Sequence, residues 1–250
     1  MPHDQSIFNP VEEVLWKTSQ KIASYKSFYP SDASCIVKGR VVGRCLRYQF
    51  WRWKGLLPPE RPTWRLALSA KLGDGCEQFF LDLYKRSGLL KGSQVGFFLQ
   101  VMGLNISGRV DGLTKKGELI ECKSAYGTAF FNQVNKAPKE EHLIQILVYL
   151  ACLGLHVCIL PYICRDNAAK RQGYRMSKKE IEAKGITFIG ILSRWKRLKE
   201  YIDKDELPPC DYEPKSWNCG YCIYKVKCEE ENRKNPTPEK KQTVESGSLL

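Results

Sequence analysis

The clearest alternation of apolar and polar positions along the chain lies between Ile106 and Ser124. Two short runs, Ile106–Leu113 and Leu119–Ser124, flank the polar, Gly-containing stretch Thr114–Glu118. Two alternating runs joined by a few turn residues predict a β-hairpin. Side chains alternate faces along a strand, so Glu121 and Lys123 share one face and Cys122 takes the other. Asp111, near the end of the first run, can meet them across the ladder. Helical spacing dominates elsewhere. Leu68, Leu72, Cys76, Phe79, Phe80 and Leu83 predict a long helix over Trp64–Arg86, and KEEHLIQILVYLACL predicts another over Lys139–Leu153, entered after Pro138. A short helix is expected over Val11–Ser24, and an amphipathic helix rich in Lys and Arg over Ser193–Tyr201. The near-continuous apolar run His156–Cys164 reads as a buried strand, and Ile186–Ile191 as another short one. Strands interspersed with helices give a mixed α/β fold.

Several polar residues stand out against this pattern. Glu77 sits beside the apolar stripe of the first long helix: it faces solvent, or it is a carboxylate that needs a partner or a metal. Gly73, one turn earlier, leaves room for a close approach. Gln145 and Tyr149 are spaced i,i+4 and share a helix face, with His142 one turn before them.

Composition narrows the functional classes. The 250 residues carry a formal charge of +13, pointing to a polyanionic partner, nucleic acid first. No apolar run reaches the ~18 residues of a spanning helix, and the N-terminus lacks a signal-peptide core, so no membrane role is expected. Eleven cysteines, an odd number in a chain too large to need disulfide staples, favour a reducing, intracellular compartment and thiols that are buried or bind metal. The run from Cys45 to Trp53 interleaves Arg with Tyr, Phe and Trp, a composition suited to stacking on bases or to a core. Near the C-terminus, Cys219 and Cys222 form a C-x2-C pair, followed by Cys228. Such a pair grips one metal centre from a tight turn. The fourth ligand is open among Cys210, Cys35 and Cys45. With Cys210 the four make a zinc ribbon, and with Cys45 an iron–sulfur site that closes a long loop.

Taken in order, Gly73-x3-Glu77, Gly108-Arg-Val-Asp111-Gly, Glu121-x-Lys123 and Gln145-x3-Tyr149 resemble the motifs of the PD-(D/E)XK nuclease superfamily, in particular its RecB-like exonucleases. With a leading Cys45-x-Arg47 and the trailing C-x2-C-x5-C, the chain is similar to the iron–sulfur branch, which includes CRISPR-associated RecB-like exonucleases and related phage nucleases. The resemblance covers about Ser31 to Cys228. It implies a restriction-endonuclease-like core, a mixed sheet flanked by helices, and metal-dependent cleavage of single-stranded or end-containing DNA. Asp111 and Glu121, with the main-chain carbonyl of Cys122, would ligate Mg2+ or Mn2+. Lys123 would orient the attacking water, and Gln145 and Tyr149 would support the site and contact the DNA strand. Many relatives carry His where this chain has Glu77, so a His role does not transfer and Glu77 would be a third carboxylate ligand. Cys45, Cys219, Cys222 and Cys228 would hold a [4Fe–4S] cluster. The implied organisation is a lead-in (1–62), a nuclease core (63–207), a cysteine segment (208–232) and a disordered tail (233–250), with homo-oligomers or nucleic-acid-processing proteins as further partners. The rival readings are a DNA-binding module with an inactive core and an interaction protein with a zinc ribbon.

Overall fold

The computed structural model describes residues 26–58, 64–167 and 169–234; the expected Val11–Ser24 helix lies outside them. Strands β1 (Ser34–Val37) and β2 (Arg40–Gly43) form a separate antiparallel hairpin. Its two-residue turn, Lys38 and Gly39, has positive φ at both positions, the geometry that matches strand twist. Helix α1 (Leu46–Trp53) follows, and then the long helix α2 (Trp64–Arg86).

The main sheet contains β3 (Leu90–Val101), β4 (Leu104–Thr114), β5 (Leu119–Ile120), β6 (Lys123–Ala125), β7 (Val157–Cys164) and β8 (Arg171–Ser177). Their order is β3-β4-β5-β7-β6, with β8 also on β7. The β4–β5 pair is the expected hairpin, antiparallel with Gly112 opposite Ile120, whereas β5 and β6 both run parallel to β7. The sheet is therefore mixed. β5 and β6 are one strand interrupted at Glu121 and Cys122, in the same register with β7 on both sides of the break. Cys122 stands opposite Pro161, which has no N–H to give the ladder at this point. The interruption thus falls on Glu121 and Cys122, and Lys123 rejoins the ladder opposite Tyr162.

Helix α3 (Glu140–Leu153) is apolar nearly all round, and Ile144, Ile146, Leu147, Val148 and Leu150 are fully buried. It packs on β7 and on the β1–β2 hairpin and ends at Gly154 in the left-handed conformation. Helices α4 (Lys178–Glu182), α5 (Phe188–Lys204), α6 (Trp217–Gly220) and α7 (Lys225–Lys234) complete the fold. One contiguous core runs from Phe28 through Ile106, Leu119 and Ile146 to Trp195 and Tyr224.

Three expectations need correction, and one open choice is decided. Ile186–Ile191 is not a strand: Thr187 caps the N-terminus of α5, its hydroxyl accepting from the Gly190 N–H at 3.1 Å, and helix starts there. The tail does not lose order at position 233, because α7 runs to Lys234 and is tied back by an Arg47–Asn232 hydrogen bond of 2.6 Å; residues 235–250 lie outside the described part. The apolar stripe of α2 is not its buried face. Leu68, Leu72, Phe79 and Leu83 are exposed, and the helix instead sets Gly73 against Arg165 and Ser124 and Leu81 against Gly112. Finally, the basic aromatic run after Cys45 is helix α1, with Arg47, Tyr48, Phe50 and Trp51 buried. Of the two roles open to it, it takes the core one.

Candidate active site and cysteine cleft

The break between β5 and β6 brings the predicted acidic residues together. Glu121 is 1% exposed, and its Oε1 accepts from Lys123 Nζ at 2.5 Å. Lys123 Nζ also donates to Gln145 Oε1 at 3.1 Å. The Gln145 Nε2 donates to the Tyr149 hydroxyl, and that hydroxyl to the Arg109 carbonyl, each at 3.1 Å. Helix α3 thus holds Lys123 through a chain of hydrogen bonds that ends on the β4 backbone. Asp111 Oδ2 accepts the Cys122 N–H at 2.7 Å, a bond available because Cys122 has left the ladder. Cys122 therefore meets the site through its N–H, and its thiol is pushed up by burial. Glu77 lies on α2 at the rim, its Oε1 accepting from Gln94 Nε2 at 2.5 Å.

The electrostatics reflect crowding of negative charge. Burial, then the neighbouring Glu121 and Glu77, push the Asp111 carboxyl up to about 8, against the pull of Lys123 and of the Cys122 N–H. Burial also raises Glu121, opposed by Lys123. Burial works against the Lys123 charge, yet the carboxylates beside it hold the ammonium above its ordinary range. Three carboxylates thus face one ammonium. Glu121 Oε2 is buried with no hydrogen-bond partner among the described residues, and a buried carboxylate oxygen left unsatisfied is costly. As the side chains stand, no group of three or more His, Cys, Asp or Glu among the described residues is arranged to hold a metal ion. The donor set is nevertheless that of a hard cation: oxygen ligands only, with a buried oxygen of Glu121 unspent.

His142, predicted on the face of Gln145, turns instead to Tyr162, with Nδ1 and the hydroxyl 2.7 Å apart. Burial, with Lys123 and Lys139 nearby, holds it well below the usual imidazole range, so it is a neutral, half-buried histidine. Two polar residues that the sequence pattern did not single out also belong here. Arg165, at the end of β7, donates from Nε to Ser124 Oγ at 2.8 Å and from Nη1 to the Ser69 carbonyl at 2.8 Å and to the Ser69 hydroxyl. It ties α2 to the strand that carries Lys123. A side chain at Gly73 would meet its guanidinium at 3.3 Å, so that glycine gives the room. Gln94 is the second. Neither has a sequence signal, because each acts through contacts between distant elements.

The second collection of ligand-type residues is a cleft lined by Cys45, Cys210, Cys219, Cys222 and Cys228. Cys35 lies apart in the core, its thiol pushed up to about 11 by burial. Cys210, whose Sγ donates to the Tyr212 carbonyl at 3.3 Å, lies beside Cys228 and Cys45, and this crowding of thiols raises its own and lowers theirs. Cys228 is lowered to about 6 by Cys210 and by Arg47, whose Nη1 lies 3.3 Å from its Sγ. The frame around the cleft is polar and buried. Arg194 grips Asp211 with bonds of 3.0 and 2.5 Å, and Asp211 Oδ2 caps α1 by accepting the Leu46 N–H at 2.7 Å.

No family model and no curated protein matches the chain. Among solved structures it is similar to SSO0001, with 20% identity, 86% of this chain and 94% of that one covered, and a TM-score of 0.52. An alkaline exonuclease from Laribacter hongkongensis, LHK-Exo, aligns more loosely, at 16% identity and a TM-score of 0.48 over 77% of this chain and 95% of that one. LHK-Exo in complex with dAMP aligns at 16% identity and 0.46 over 64% and 80%. At this identity the first likeness is one of fold alone, and the looser two bear no weight. No helix among the described residues is long and apolar enough to cross a membrane.

Proposed function

We propose that this chain is a divalent-cation-dependent deoxyribonuclease of the PD-(D/E)XK type, an exonuclease of the RecB-like iron–sulfur branch. The observation that carries the reading is the convergence of Asp111 and Lys123 on the buried Glu121, whose Oε2 has no partner among the described residues. Asp111 and Glu121, with Glu77 as a third carboxylate, would hold Mg2+ or Mn2+. Such a cation supplies charge neutralisation at a phosphate and acidifies bound water. A nuclease must remove on the order of 20 kcal/mol from a very slow hydrolysis, so rigid placement of charge is the main requirement.

The chain's own residues then have defined tasks. Lys123, fixed by Glu121 and Gln145, presents the remaining hydrogen-bonding capacity of its ammonium to the oxygen that gains charge. Tyr149 holds Gln145, and so holds Lys123 at one remove. Cys122 keeps Asp111 turned towards Glu121 by its N–H.

In the cleft, Cys45, Cys219, Cys222 and Cys228 would hold a [4Fe–4S] cluster, and the lowered Cys228 thiol favours the thiolate that iron requires. Its role would be structural, joining α1 to the C-terminal segment. Cys210 is a fifth thiol in the same cleft. A brown protein absorbing near ~400 nm supports iron, and a colourless one with a single zinc contradicts it.

The test of the enzyme is incubation of end-labelled single- and double-stranded DNA with Mg2+, Mn2+ or EDTA. Progressive loss of DNA from its ends with either cation, and none with EDTA, is expected. A mobility shift without loss would contradict the assignment.

A further inference from the structure

We infer that Gln94 is a positioning residue that presets Glu77 for cation binding; the inference rests on the nuclease reading of the acidic site. Among the described residues four non-glycine positions have positive φ: Lys38, Gln94, Met102 and Asp205. Lys38 and Met102 belong to the two-residue turns of the β1–β2 and β3–β4 hairpins, and Asp205 caps the C-terminus of α5. Those are places where the left-handed conformation is routine. Gln94, at φ 53, stands in the middle of a twelve-residue strand.

No bulge accounts for it. Ser93 pairs with Gly112 and Val95 with Val110, so the register is the same on both sides of Gln94 and sets it level with Asp111, although the ladder skips that pair; the one register shift of the β3–β4 ladder falls earlier, between Leu90 and Gly92. A left-handed residue other than glycine is strained, and such strain persists where the surroundings impose it. Glycine would take this conformation without that cost, and the strand does contain glycines, at positions 92 and 96 on either side. The side chain at 94 is therefore what the position keeps. Its amide donates to Glu77 Oε1 at 2.5 Å, leaving Glu77 Oε2 for another partner. Gln94 stands level with Asp111 on the neighbouring strand, so the same amide holds Glu77 beside the strand that carries Asp111. The twisted backbone thus aims an amide that fixes the third carboxylate beside the other two, on a helix that Arg165 already ties to the Lys123 strand.

The experiment uses the full chain and the Mn2+ ion alone, with calorimetric titration counting the ion bound by wild type and lost in Asp111→Asn. Gln94→Gly is expected to melt at a higher temperature than wild type, as strain is relieved, while binding that Mn2+ about 10-fold more weakly, the usual effect of removing a residue that orients a ligand. Gln94→Asn tolerates the same φ but cannot reach Glu77, and it should lose a similar amount. In a Glu77→Gln background, Gln94→Gly should change Mn2+ affinity no further, which a merely structural role would not produce. Equal affinity for wild type, Gln94→Gly and Gln94→Asn, or an equal loss in the Glu77→Gln background, would overturn the inference and leave the nuclease reading intact. A wild type that binds no Mn2+ overturns both.

Discussion

The acidic site and the cysteine cleft both gather ligand-type residues, but they are built differently. Asp111, Glu121 and Lys123 come from neighbouring strands of one sheet, and fully buried Ile120, Val110 and Leu160 fix their spacing. The cleft joins Cys45 to residues more than 160 positions later, through loops and short helices. Its frame adds to the packing of Tyr48, Trp51 and Tyr224 the buried Arg194–Asp211 pair and the Arg47 contacts. A site made within a sheet inherits its geometry from the core. A site made between distant segments needs a clamp, and here buried ion pairs and hydrogen bonds contribute to it. Breaking one region should therefore leave the other standing.

The largest effect is expected at Lys123. Lys123→Ala should reduce cleavage about 10³-fold or more, the scale of losing a preorganised donor at developing charge, with DNA affinity and the absorbance of the cleft unchanged. Cleavage within a few-fold of wild type would remove Lys123 from the chemistry.

Next is Asp211→Ala, which strands a guanidinium whose side chain is 6% exposed and uncaps α1. Leaving one partner of a buried pair costs about 3–5 kcal/mol, measurable by urea unfolding. Cleavage per folded molecule should stay the same, because the sheet site does not depend on this clamp.

A smaller effect separates the regions by pH. The Asp111 carboxyl titrates near 8 in the folded protein and near 3.8 unfolded. The folded state then binds more protons than the unfolded state between those values, so the cation-free protein should lose stability as pH rises from about 4 to about 8. Asp111→Asn should flatten this slope and raise the melting temperature at pH 8, and Mn2+ should do the same for wild type. A slope that survives Asp111→Asn undiminished would place the titration on the raised neighbour Glu121 instead. The smallest effect is expected for Ser69→Ala, which removes one of the Arg165 contacts and should cost about 1 kcal/mol, read as a slight fall in melting temperature.

How much of this was readable from the chain follows from the same contrast. The β4–β5 hairpin, β7 and α3 were legible because alternation, apolar runs and turn residues are local signals. The meeting of Glu121 with Lys123 followed from strand alternation alone. Strand β3 was missed because Gly92, Ser93, Gln94 and Gly96 break its pattern on an edge with exposed positions. β8 was missed because it presents Arg171, Gln172 and Arg175 rather than an apolar face. The Ile186–Ile191 segment was misread because its apolar residues outweighed the Thr187 cap. Gln94 and Arg165 were invisible for a deeper reason: a left-handed φ and a helix-to-strand tie exist only once distant elements have packed.

The most direct measurement is anomalous diffraction from crystals grown with Mn2+. The account predicts a peak about 2–2.4 Å from carboxylate oxygens of Asp111 and Glu121, with Glu77 turned towards it. Ordered Asp111 and Glu121 side chains with no peak between them at saturating Mn2+ would contradict it.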